Sequence, residues 1–312
     1  MSKRFRRRIS QLLALSLVLL GSGAVLAHTA EAGTVGTLKI ERHGDHGRPV
    51  ILIPGLQGGQ WVWQQTIAQL QKDHVVYAVT LAGFDGVPAP TSGGSLFDRA
   101  DASLLQLIEQ QKLAKPVLVG HSLGGTLALR FAGEHADLIS GVVAVDGLPI
   151  FPGMERASAE QRQAMAAQMR EKMSAATPAQ FKAQALGYMQ KVGVVDPQLA
   201  ARYAPMNARS DIKASAQYMA EDLAADLRPG LKNANVPILE ISPYYALDFS
   251  QPPTQFSEAQ KTAYYQSLLA DAPNAKVVSI SPSRHFVMLD QPAKFQHALD
   301  DFLKATERSA QP

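Results

Sequence analysis

The sequence predicts an α/β fold: a mostly parallel, doubly wound sheet with an inserted helical cap. Three observations predict it. Short apolar runs alternate with stretches of helical spacing, and most runs are continuous, as in strands buried on both faces. The alternation lapses once, between Pro152 and about Arg228, where helical spacing continues without a convincing strand. One strand-to-helix junction, Gly120-His121-Ser122-Leu123-Gly124-Gly125, is nearly bare of side chains. Strand and helix can approach through a sharp turn only where side chains are this small. Sheets of this kind place their chemistry beyond the carboxyl ends of the strands, and Ser122 falls there.

The elements follow in order. Lys3, Arg4, Arg6, Arg7 and Arg8 precede an apolar run over residues 12–27 that ends in small residues. This is the build of a secretory signal peptide over residues 1–27, and the run is short for a membrane-spanning helix. The expectation is a periplasmic or secreted protein with no stable membrane insertion after cleavage. The leader holds five of the 30 basic residues and none of the 27 acidic ones, so its removal turns a net charge of +3 into −2. A basic balance of that origin gives no support for nucleic-acid binding.

Residues 34–41 alternate apolar and polar and predict an antiparallel strand; His43-Gly44-Asp45-His46-Gly47 predicts a turn. A buried strand over 49–53 stops at Pro54-Gly55, a helix covers 61–71 and a strand 75–79. A helix over 104–113 leads to the strand 116–119, then to Ser122 and a helix over 126–132. Another strand covers 141–145. Within the helical block Met165, Met169 and Met173 recur at four-residue spacing, and further helices cover about 178–190 and 211–226. The methionines suit either a flexible apolar lid or a helix packed on the sheet. Strands at 236–241 and 277–280 and helices at about 257–270 and 292–305 complete the chain. The core is therefore expected over 33–150 and 230–308, with the cap over 151–229.

A serine hydroxyl is a poor nucleophile at neutral pH and needs a base, with a third group to orient that base. A strand, Gly-x-Ser-x-Gly and a helix in succession form the context of a nucleophile elbow. Among the histidines, His28 lies at the leader boundary, His121 cannot readily face its own neighbour, and His135 and His297 sit in helices. His285 follows the last strand on the edge that carries Ser122, which makes it the candidate base.

The chain resembles the α/β-hydrolase family over essentially all of the sequence beyond the leader. The resemblance rests on Ile53-Pro54-Gly55-Leu56, on Gly120 to Gly125, and on Ser283-Arg284-His285-Phe286-Val287-Met288-Leu289-Asp290-Gln291-Pro292, in that order. Pro54-Gly55 stands where the family usually has His-Gly and still provides a glycine turn. The resemblance implies an oxyanion hole formed by the backbone N–H groups of Leu56 and Leu123. It also implies an acid. The family usually carries it past the strand matching residues 238–242, where this chain offers Asp248; some relatives use the position of Asp146, at the end of strand 141–145. Asp248 is preferred and Asp146 stays open. Asp290 reads as a helix cap.

The implied activity is hydrolysis of a small apolar carboxylic ester through a Ser-His-Asp triad and an acyl-enzyme. The same triad would serve amide, lactone or carbon–carbon bond hydrolysis, or perhydrolysis. A non-catalytic binding protein of the same fold is the alternative of a different class. Serine at the elbow argues against haloalkane dehalogenase and epoxide hydrolase chemistry, which uses an aspartate there. No cofactor or metal is expected. Cysteine is absent, His43 and His46 lack a third ligand, and Gly58-Gly59 and Gly93-Gly94 lack the lysine and spacing of a phosphate loop. Trp61 and Trp63 follow the oxyanion turn, where they wall the site or fill the core.

Overall fold

A computed structural model describes residues 31–251 and 255–308. The expected leader lies outside the described residues. Eight strands form one sheet in the order β1-β2-β4-β3-β5-β6-β7-β8. They are β1 (Glu31–Val35), β2 (Leu38–His43), β3 (Arg48–Ile53), β4 (His74–Leu81), β5 (Val117–His121), β6 (Gly141–Val145), β7 (Ile238–Pro243) and β8 (Ala275–Ile280). The β1–β2 and β2–β4 pairs are antiparallel and all others parallel.

The single strand expected at 34–41 is a hairpin. Gly36 turns the chain at a φ of +56°, and a Cβ there would lie 2.2 Å from Ser103 Oγ. That same hydroxyl accepts the Thr37 N–H at 2.9 Å, tying the hairpin to a helix. The turn is set by this contact rather than by local alternation, which runs through it unbroken.

Helices cover both faces, as the continuous apolar strands require. α1 (Gln64–Leu70) and α10 (Pro292–Arg308) bury Ile67, Leu70, Phe295 and Leu299 on one side. α2 (Leu96–Gln110) and α3 (Leu123–His135) bury Phe97, Leu104, Leu127 and Phe131 on the other. Each such side chain contributes roughly 1.5–3 kcal/mol on leaving water. α8 (Glu258–Leu268) precedes β8, and the single turn α9 (Val287–Asp290) precedes α10.

Between β6 and β7 lie four cap helices: α4 (Ala159–Ser174), α5 (Pro178–Tyr188), α6 (Pro197–Asn207) and α7 (Ile212–Ala224). Ser158 and Thr177 form capping boxes, and Asp196 and Asp211 cap α6 and α7. α4 packs on α7 rather than on the sheet, and Ala166 is its only buried residue. Met165 and Met169 are exposed, while Met173 reaches a cavity beside Ser122. α2 starts at Leu96, well before the expected residue 104. Glu221 of α7 accepts the N–H groups of Leu96 (3.1 Å) and Phe97 (2.8 Å) and the Ser95 hydroxyl (3.0 Å). A carboxylate at a helix N-terminus stabilises both partners, so this bond fastens the cap to the core.

Candidate active site

β5 ends at His121, and Ser122 then adopts φ +52° and ψ −124°, a conformation non-glycine residues rarely enter. The surrounding backbone leaves no alternative. A Cβ on Gly120 would lie 2.1 Å from Gly124 O, and one on Gly124 would lie 2.3 Å from Ile53 O. Bonds from Ser122 N–H to Val145 O (2.8 Å) and from Thr126 N–H to Ser122 O (2.9 Å) hold the turn between β6 and α3. Leu123 opens α3, so its N–H has no carbonyl one turn earlier in the helix. Leu56 lies in a turn closed by Gly58 N–H on Gly55 O at 2.9 Å, with Gln57 at φ +61°.

His285 lies on the loop before α9 and is placed by backbone bonds. Its N–H donates to Val192 O (3.1 Å), and Phe286 N–H donates to Gly193 O (2.9 Å). His121 Nε2–H donates to the His285 carbonyl oxygen at 3.0 Å, and the two rings lie 4.5 Å apart. Burial first, and His285 next, keep the His121 imidazole well below its ordinary range, so it stays a neutral clamp.

The carboxylate that meets His285 is Asp146 and not the preferred Asp248. His285 Nδ1–H donates to Asp146 Oδ2 at 2.5 Å, and the Tyr265 hydroxyl donates to Asp146 Oδ1. Asp146 occupies a left-handed turn, φ +51°, directly after β6. Burial alone would raise its carboxyl. The charges of His285 and Lys261 and the hydrogen bonds from His285 and Tyr265 outweigh this and hold it below the usual carboxylate range.

Asp248 does not reach His285. β7 runs into Pro243 and the chain leaves the sheet, putting Asp248 in a short turn over Ala246–Phe249. There both carboxylate oxygens are taken by Arg284, from Nε and from a terminal nitrogen, each at 2.7 Å. Arg284 in turn donates to Gln190 O (2.8 Å) and Val194 O (3.2 Å), so Asp248 braces the histidine loop against the cap. Asp290, expected to cap the last helix, instead accepts the Val195 N–H (2.9 Å) and the Arg284 N–H (2.8 Å).

Two cavities meet at Ser122 and His285. One, of about 200 Å³, is walled by Met173, Phe181, Ala185 and Phe286. The other, of about 330 Å³, is walled by Leu148, Ile150, Phe151 and Val192 and also reaches Asp146. Leu56, Tyr188 and Met219 border both. Trp61 and Trp63 line neither. Trp61 stacks between Tyr203 and Phe286, and Trp63 packs on Phe295 in the core. A groove of about 650 Å³ between α2 and the cap touches none of the candidate residues.

A sequence profile of the alpha/beta hydrolase family matches residues 50–298. The chain belongs to the alpha/beta hydrolase family. It carries the eight-stranded, mostly parallel sheet of that fold. Pimeloyl-(acyl-carrier protein) methyl ester esterase of Vibrio vulnificus is 27% identical over 260 residues, 82% of this chain and 94% of its own length. A 1-acylglycerol-3-phosphate O-acyltransferase of Pongo abelii is 26% identical over 133 residues, 41% of this chain; the match spans only 38% of that relative. The thermophilic esterase of Thermogutta terrifontis shares the fold at a TM-score of 0.70 and 19% identity, over 89% of this chain and 99% of its own.

Around this site, the sequence reading missed three side chains. Tyr265 lies 119 positions from Asp146, with no local signal linking them. His121 was excluded as a base but not seen as a clamp. Glu240, fully buried on β7, lies near the N–H groups of Gly147 and Asp146 without completing a hydrogen bond to either. Burial first, and the Asp146 charge next, push its carboxyl well above the ordinary range, so it is neutral. Its one available sign was a lone charged residue inside an apolar strand.

Proposed function

We propose that this protein is a hydrolase that cleaves carboxylic esters with Ser122 as nucleophile, His285 as base and Asp146 as the acid that orients it. The Ser122 hydroxyl passes its proton to His285 Nε2 as Oγ attacks the ester carbonyl carbon. The tetrahedral oxyanion is held by the N–H groups of Leu56 and Leu123. Collapse expels the alcohol, which takes the proton from His285 and leaves an acyl-Ser122 ester. Water then gives a proton to His285 and attacks the acyl carbon. The acid departs and Ser122 Oγ regains its proton.

One observation carries this reading. The imidazole is locked by Asp146 at 2.5 Å through Nδ1, which leaves Nε2 available, and its ring borders the same two apolar cavities as the strained Ser122. The esterase named among the relatives supports the ester as substrate class. A fluorophosphonate probe tests it. Labelling at Ser122, lost in Ser122→Ala and His285→Ala together with hydrolysis of p-nitrophenyl butyrate, is the expected result. An unlabelled protein of intact fold favours a binding role instead. Amides, lactones and carbon–carbon substrates in the same assay separate the other uses of the triad.

Export through cleavage of residues 1–27 is proposed with it, on the basic-then-apolar composition of that segment. The mass of the protein recovered from the producing cell tests this; an intact amino terminus refutes it.

A further inference from the structure

Met219 and Asp222 stand three residues apart on α7, hence on one face, and both line the larger cavity at Ser122. The wall beside Asp222 is mainly apolar, with Leu148, Ile150 and Phe151. A carboxyl group in such a wall loses hydration and needs a hydrogen-bond donor in its place. The fold provides donors to the acids around it. Glu221, the preceding residue, accepts three from the start of α2, and Asp226 is paired with Arg228 at 2.8 Å.

Asp222 is treated differently. Among the described residues the side chain that bears on it is the Thr126 hydroxyl, and that hydroxyl donates its single proton to Leu148 O at 3.0 Å. Thr126 is then left with only an acceptor to offer. Burial pushes the Asp222 carboxyl up to about 7, and Thr126 pulls the other way only when its proton turns from Leu148. No lysine or arginine pairs with Asp222 among the described residues. The side chain is half-buried, and it borders the cavity that holds the candidate nucleophile.

We propose that Asp222 sets substrate specificity: it receives a hydrogen-bond donor, a hydroxyl or an ammonium, carried by the part of the ester that fills this cavity. The proposal rests on the hydrolase reading of Ser122 and deepens it. The preferred substrate is an ester that is apolar along its chain and ends in a donor. The gain comes from the missing partner. A donor completes the carboxyl group's hydrogen bonding, whereas a purely apolar chain leaves a desolvated acceptor unpaired.

The test compares p-nitrophenyl hexanoate with its ω-hydroxy and ω-amino analogues, and hexyl acetate with the corresponding ω-hydroxy and ω-amino alkyl acetates. This places the donor on either half of the ester. In the wild type, kcat/KM is expected to favour one donor-bearing ester by about 10- to 100-fold. In Asp222→Leu that ratio falls to about one or below. Asp222→Asn keeps an acceptor without the charge, so it retains a preference for hydroxyl and loses one for ammonium, which separates the two donors. The near-isosteric Asn variant also carries the test where Leu lowers the melting temperature. Equal kcat/KM for matched esters in the wild type overturns the proposal, as does a ratio unchanged in both variants.

Calorimetric binding of the same esters to Ser122→Ala, with and without Asp222→Leu, gives a readout independent of turnover. Ser122 labelling without any preference for a donor defeats the Asp222 proposal alone. A binding preference without Ser122 labelling defeats the hydrolase reading alone.

Discussion

Replacing Asp146 by Asn should cost this enzyme about a thousandfold in kcat. As the Ser122 proton moves to His285, the ring becomes an imidazolium whose Nδ1 lies 2.5 Å from Asp146 Oδ2, with both side chains only 14% exposed. With charge centres about 4 Å apart and an effective dielectric of about 20, Coulomb's law gives about 4 kcal/mol. At about 1.4 kcal/mol per decade this is close to three orders of magnitude. An Asn amide that donates to Nδ1 also selects the wrong tautomer and adds to the loss. Asp248→Asn is the control. Its pairing with Arg284 is partly exposed, 32% on the Asp248 side, and is worth roughly 0.2–1 kcal/mol. Even if all of it reached the barrier, the rate should stay within about fivefold of wild type. Initial rates on p-nitrophenyl butyrate, with fold checked by circular dichroism, decide between them. An equal loss in Asp248→Asn, or a wild-type rate in Asp146→Asn, would refute the assignment.

Three further outcomes follow from the same geometry. Tyr265→Phe removes the second donor to Asp146 and should lower kcat by about tenfold with KM unchanged; a rise in KM alone would count against a positioning role. Gly124→Ala places a Cβ 2.3 Å from Ile53 O and 2.6 Å from Pro54 O, both backbone atoms that cannot turn away. It should destabilise the protein by about 1–3 kcal/mol or more, and an unchanged melting temperature would show that the elbow yields. Glu240 has a folded pKa raised above its ordinary 4.5, so the unfolded chain releases this proton first as pH rises. Stability is then lost at about 1.4 kcal/mol per pH unit from 4.5 up to the folded value. Glu240→Gln cannot ionise and should gain on the wild type in urea denaturation at about pH 8 relative to about pH 5. Identical pH slopes would sink this account.

The reading of the residues was most accurate where chemistry is local. Periodicity separated strands from helices because burial on one or both faces is written into neighbouring residues. Where the structure departed from expectation, a distant partner was responsible. Ser103 sets the turn that splits the first strand into β1 and β2, and Glu221 caps α2 at Leu96, eight residues ahead of the start expected at residue 104. α4, read from its methionines, rests on α7 and leaves two of them exposed, since the apolar surface it faces is supplied by another helix.

The sequence by itself determined the glycine-lined turn at Ser122 and the loop position of His285, because both depend on contiguous residues and on steric rules that act over one turn. Only the tertiary structure decided which carboxylate meets the imidazole. Asp146 and Asp248 both follow strands on the rim, and choosing between them requires the exit direction of β7 and the location of Arg284. Those are products of packing between segments far apart in the chain. The contact of Tyr265 with Asp146 and the apolar wall beside Asp222 arise in the same way, from neighbours that no stretch of contiguous sequence contains.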